Sequence, residues 1–160
     1  MKIKITVSAL ILAVLVLFSS CTNKVSASFD VKGTEIKCGM EMSKLLDEFK
    51  DLKYDYSESI SCEYNGLDKV YDFSDSGFVI YTYPENDKDY VLEIAVTSKN
   101  ITQKDGKLKI GMSKADIEAL YGIDYENEGE LMVYSLDDGI TLNFLVIDNA
   151  LEEYSLSAAQ

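Results

Sequence analysis

The chain has 160 residues, of which 28 are Asp or Glu and 15 are Lys; it has no Arg and no His, and its net charge is −13. So acidic a chain, without arginine, excludes nucleic-acid binding, because neutralisation of phosphates drives that affinity. The lack of histidine removes every scheme that needs an imidazole as general base or as metal ligand.

Met1-Lys2-Ile3-Lys4 is a short positive start, and Ile5 to Phe18 is apolar except for Thr6 and Ser8. That length suits a signal-peptide core and falls short of the roughly 20 residues a spanning helix needs. Phe18-Ser19-Ser20-Cys21 follows directly. This ending resembles the lipobox of bacterial lipoproteins, an aliphatic residue and two small ones before a cysteine, although Phe18 stands where that pattern usually has leucine. The resemblance implies cleavage before Cys21, lipid on its sulfur and an acylated new N-terminus. The protein is then held at the extracytoplasmic face of the cell membrane. With Lys2 and Lys4 gone, 28 acids face 13 lysines, a net of about −15. Anionic headgroups would repel such a domain, so the lipid has to do the anchoring.

Residues 22–32 are small, polar and without periodicity. They read as a flexible tether with a mean reach of roughly 20 Å. Beyond it, about 130 residues holding all 11 Tyr and four of the six Phe are enough for one domain with a core.

Ile36-Lys37-Cys38-Gly39-Met40 reappears as Leu108-Lys109-Ile110-Gly111-Met112, and a helical stretch follows each. Met42, Leu45, Leu46 and Phe49 form an i, i+3, i+4, i+7 stripe in the first; Ile117, Leu120 and Tyr121 form a shorter one in the second. Ser113 and Asp116 are spaced as a capping box, and Gly122 fits a left-handed stop. Val70 to Gly77 then parallels Val133 to Gly139, with β-prone runs after each: Phe78–Tyr83 and Tyr90–Thr97, then Ile140–Ile147 and Ala150–Leu156. Ser59–Tyr64, turned by Asn65-Gly66, reads as an extra strand inserted in the first half only.

The expected fold is therefore α+β: two tandem repeats, each a helix plus antiparallel sheet, packed as one domain. Residues 1–20 are the signal peptide, 21–32 the lipidated cysteine and tether, 33–98 repeat 1 with its inserted hairpin, and 99–160 repeat 2. Cys38 and Cys62 remain as a pair outside the reducing cytosol. A disulfide between them would close a loop of about 25 residues, worth roughly 3 kcal/mol; two free thiols are the alternative.

The Gly-Met entry, short helix and meander resemble two groups of small exported bacterial proteins, the β-lactamase-inhibitory-protein type and the SmpA/OmlA assembly lipoproteins. Residues Ile110 to Ile117 with Leu120-Tyr121-Gly122 carry the likeness, and Ile36 to Phe49 is a weaker copy. The resemblance implies a non-catalytic role in binding or assembly.

No catalytic residues are assigned, and no cofactor or metal is expected. The carboxylate pairs Asp72/Asp75 and Asp137/Asp138 sit where turns favour Asp for backbone reasons. Asp87 with Asp89, and Asp55 with Glu58, match no calcium loop. Tyr81, Tyr83, Tyr71 and Tyr134 are the candidate binding surface, since tyrosine joins contact area to a hydrogen-bonding tip; strand propensity is the simpler account of them. The functional expectation is an envelope lipoprotein without enzymatic activity that binds an extracytoplasmic protein or glycan. The alternatives are a structural part of an envelope assembly or an inhibitor of an extracellular enzyme.

Overall fold

The computed structural model describes residues 27–103 and 106–158, so the signal segment and Cys21 lie outside the described residues. The elements are β1 (Phe29–Val31), β2 (Thr34–Ile36), α1 (Met42–Glu48), β3 (Asp55–Ile60), β4 (Leu67–Phe73), β5 (Phe78–Glu85) and β6 (Lys88–Val96). Then come β7 (Thr102–Gln103), α2 (Lys114–Tyr121), β8 (Glu126–Glu128), β9 (Leu131–Ser135), β10 (Ile140–Ile147) and β11 (Ala150–Ala158). Eight strands form one antiparallel sheet in the order β3-β4-β5-β6-β11-β10-β9-β8. Each repeat thus supplies a four-stranded meander, and the two last strands, β6 and β11, meet in the middle.

The repeat is visible in the backbone hydrogen bonds. The Gly39 N–H donates to the Val91 carbonyl at 2.8 Å, and the Val91 N–H donates to the Met40 carbonyl at 2.9 Å. In the second half Gly111 donates to Leu151 at 2.7 Å, and Leu151 donates to Met112 at 2.8 Å. The reason lies in the register. β6 and β11 pair only through Glu93–Val96 and Tyr154–Ser157, so the first half of each strand overhangs its neighbour. Each Gly-Met turn satisfies the overhang of its own repeat, as buried backbone groups require. A bulge follows at matching places too: Leu92 is skipped in the β5–β6 pairing and Glu152 in the β10–β11 pairing.

One face of the large sheet is covered. Two cross-strand rows supply its core: Phe73, Phe78, Val96, Tyr154, Phe144 and Met132 in one, and Tyr71, Ile80, Ile94, Leu156, Leu142 and Tyr134 in the other, all buried. Both helices pack there. The Phe49 ring, at the end of α1, lies 5.8 Å from Phe73 and 5.7 Å from Phe78. Tyr121, its counterpart in α2, lies 5.8 Å from Tyr134 and 5.1 Å from Phe144. Edge-on and tilted rings of this kind add about 0.5–1.5 kcal/mol beyond their burial. A second sheet, β2-β1-β7, packs on the same face through Phe29, 5.2 Å from Tyr154.

Three expectations need correction. Residues Ser28 to Val31 are not tether: Phe29 and Val31 are buried core residues on β1. The hairpin of the first half is not an insertion, because β8–β9 occupies the same place in the second; β3 is simply longer, running Asp55–Ile60 instead of 59–64. Gly122 does end α2 with a positive φ of 88°, but its ψ of −174° is extended and not left-handed helical. Among the described residues no helix is long and apolar enough to cross a membrane.

Candidate functional site: the uncovered face of the large sheet

Side chains alternate across a strand, so register assigns every strand residue to a face. Opposite the core lie Asp55, Asp72, Val79, Ala95, Ser155, Asn143, Val133 and Glu126 in one cross-strand row. The next row holds Ser57, Val70, Tyr81, Glu93, Ser157, Thr141 and Ser135. Neither α1 nor α2 covers this face. Its centre is a floor of small residues, with Ala95 and Ser155 buried, and Asn143 Nδ2 donates to Ser155 Oγ at 3.1 Å and to Ser157 Oγ at 3.2 Å. Around the floor stand Val70, Val79, Val133 and Leu145, all half-buried, and Tyr81, 38% exposed.

The charge on this face is negative apart from Lys88, which register places opposite Glu85 at the hairpin end. Asp55, Asp68, Asp72, Glu93, Glu126 and Glu153 share it by register. Only two lysines lie in the eight strands. Lys69 turns to the core side, where its Nζ meets Asp89 at 2.7 Å, and Lys88, at the start of β6, bonds Glu41 at 3.0 Å. Burial, then Glu93, raises the Glu153 carboxyl above its ordinary value. The Tyr81 phenol is likewise raised, by burial first and then by Glu93, Glu153 and Asp72.

The candidate tyrosines are divided by this geometry. Tyr81 and Tyr83 lie on the uncovered face, Tyr83 stacked on Tyr64 with ring centroids 4.9 Å apart. Tyr71 and Tyr134 do not belong to it. They are 6% and 4% exposed on the core face, and Tyr134 donates to the Gly122 carbonyl at 2.8 Å. Their matching positions in the two repeats reflect a shared core role.

Cys38 and Cys62 are both free cysteines in the structure. Cys38 is half-buried, its thiol donating to the Leu156 carbonyl at 3.4 Å, and burial, with Glu93 adding, pushes it up to about 12. Cys62 is exposed in the turn between β3 and β4.

The carboxylate pairs serve the backbone. Asp72 Oδ1 accepts from the Ser74 N–H at 2.8 Å and from the Ser74 hydroxyl, holding the turn into a one-turn 3-10 helix at Ser74–Ser76. Asp137 and Asp138 form the corresponding turn before β10. Asp89 is bound by Lys69, and Glu58 accepts from the Tyr56 phenol. Among the described residues no group of three or more acidic or cysteine side chains is arranged to hold a metal.

What sequence reasoning missed is Asp68, Glu93, Glu126 and Glu153, and the only signal available was their alternation along the strands. No protein-family model, curated protein or solved structure matches this chain.

Proposed function

We propose that this protein is a lipid-anchored, non-catalytic binding module of the cell envelope, and that the uncovered sheet face docks a basic protein. The observation that carries the reading is the composition of that face: half-buried Val70, Val79, Val133 and Leu145 with Tyr81 and Tyr83, ringed by six carboxylates. Apolar and aromatic area supplies contact energy, and a predominantly acidic rim selects a partner of opposite charge and speeds encounter. The same field repels anionic lipid, so the face is directed to a protein and not to the membrane that holds the anchor. The likeness of the Gly-Met helix repeat to small exported inhibitory and assembly proteins points the same way.

The test is site-specific photo-crosslinking on the full-length protein in its native envelope. A crosslinker at Tyr81 or Val133 is expected to capture one basic protein, and a crosslinker at Lys44 on α1 is expected not to. Paired reversal by Glu93→Lys and Glu153→Lys is expected to reduce capture at least tenfold. Equal capture from the helix side, or capture indifferent to the reversal, would sink the proposal.

A further inference from the structure

Asp68 Oδ1 is the one buried side-chain oxygen or nitrogen among the described residues that has no hydrogen-bond partner. Folded proteins leave few such atoms, and an unpaired buried acceptor costs about 1–3 kcal/mol, more when it is charged. Asp68 stands opposite Ser59 on the uncovered face and lines a cavity of ≈ 220 Å³. Val70, Tyr81, Leu92, Ser57 and Ser59 stand around it, and Glu58, Lys69 and Thr82 also contribute to its walls. Leu92 is the residue skipped at the bulge in β6, and bulges redirect side chains in this way. Lys69 also borders the cavity, but its ammonium is paired with Asp89 at 2.7 Å and not with Asp68.

The second repeat lacks this arrangement. By the alignment of Val70 with Val133, Asp68 corresponds to Leu131, and the bulge residue is Glu152 instead of Leu92. An acid under apolar walls is therefore a property of repeat 1 and not of the fold.

We infer that this cavity is a socket for a single lysine side chain of the docked protein, its methylenes against Val70, Tyr81 and Leu92 and its ammonium on Asp68 Oδ1. This rests on the uncovered face being the docking surface. Size argues for one side chain, since pockets for small molecules run to about 300–1,000 Å³. The acceptor argues for lysine over arginine. One buried carboxylate oxygen offers a single point to a compact ammonium, whereas a guanidinium is best met by two oxygens in a fork.

The experiment titrates the full-length protein in detergent micelles with N-acetyl-lysine methylamide, following amide NMR shifts of Ser57, Asp68, Val70 and Tyr81. The norleucine and arginine analogues are the controls. The lysine probe is expected to saturate these shifts with an affinity at least fivefold above either control, and Asp68→Asn is expected to abolish the preference. A lysine preference below twofold in the wild-type protein overturns the socket, as does a preference that survives in a folded Asp68→Asn variant. The wild-type comparison decides the matter even where the variant does not fold. Loss of the lysine preference with crosslinking from Tyr81 intact would remove the socket and leave the docking face. A clear preference with no partner captured would do the reverse.

Discussion

The Tyr154 phenol donates to the Ile101 carbonyl at 2.6 Å, a buried bond between residues 53 positions apart. It ties the central strand of the second repeat to the chain that joins the two repeats, and the same ring packs edge-on against Phe29 of β1. One side chain thus fastens the large sheet, the small sheet and the connection between the halves.

Tyr154→Phe keeps the ring contact and removes only the hydroxyl, leaving the Ile101 carbonyl buried without a donor. The expected loss is about 1–3 kcal/mol, read by urea unfolding with an unchanged m-value. Tyr56→Phe is the control, because its phenol bonds Glu58 at an exposed site. That variant should stay close to wild type, within about 0.5 kcal/mol.

Gly77 closes the turn before β5 with a φ of 86°, and a Cβ there would stand 2.1 Å from Ser98 Cβ. Its carbonyl also accepts from the Thr97 N–H at 3.0 Å, so the turn cannot retreat freely. Gly77→Ala combines left-handed strain with overpacking and is expected to cost about 2–4 kcal/mol. Gly39 and Gly111 have positive φ as well, 78° and 88°, but nothing lies within 4 Å of a Cβ at either. Alanine at those sites should cost only the backbone term, about 1–2 kcal/mol. Thermal midpoints of the three variants check the order.

Glu153 is held above its ordinary carboxyl value by burial and by Glu93. A raised carboxyl favours the protonated form in the folded state. The stability it contributes is complete below the unfolded value, roughly 4.3, and is lost as pH rises through the folded value. At neutral pH the ionised group is therefore a net burden. Glu153→Gln is expected to raise the thermal midpoint at pH 7, and the gain should vanish on acidification below about pH 4. A gain that persists at low pH would mean that the charge is not its source. A carboxylate kept against the interest of stability is what a docking face would retain.

The cysteines should react in a set order. Cys62 is exposed, whereas the thiol of Cys38 is half-buried, hydrogen-bonded and raised to about 12. Since the thiolate is the reactive form, iodoacetamide at pH 8 should alkylate Cys62 quickly and Cys38 only on unfolding. Mass spectrometry of the envelope protein should find Cys21 blocked by lipid, and Cys21→Ser should move the protein into the soluble fraction. A Cys21→Ser protein still bound to the membrane would refute the anchor.

Much of the fold is legible where interactions are local. Ser113 Oγ accepts from the Asp116 N–H at 3.2 Å, and Asp116 Oδ2 accepts from the Ser113 N–H at 3.2 Å, the reciprocal pair that their spacing implies. Met42 and Leu45 are buried along the stripe of α1. The small sheet is not legible, because β1 has three residues and β7 two, too few for any periodicity. Their pairing also spans more than seventy positions, as Phe29 meets Gln103. The tyrosines fail for a different reason. Period-2 alternation separates Tyr81 from Ile80 on β5, but which side is covered depends on where the helices pack.

By itself the sequence determines the tandem repeat, the capping box of α2, the meander strands and the acidic balance, since each is written in neighbouring residues or in a simple count. Only the tertiary structure decides that both helices and the small sheet share one face of the large sheet. That choice buries Tyr71 and Tyr134, leaves Tyr81 in the open and gathers six carboxylates from five strands around it. It is set by packing between segments distant in the chain, where the energy belongs to surfaces that exist only after folding.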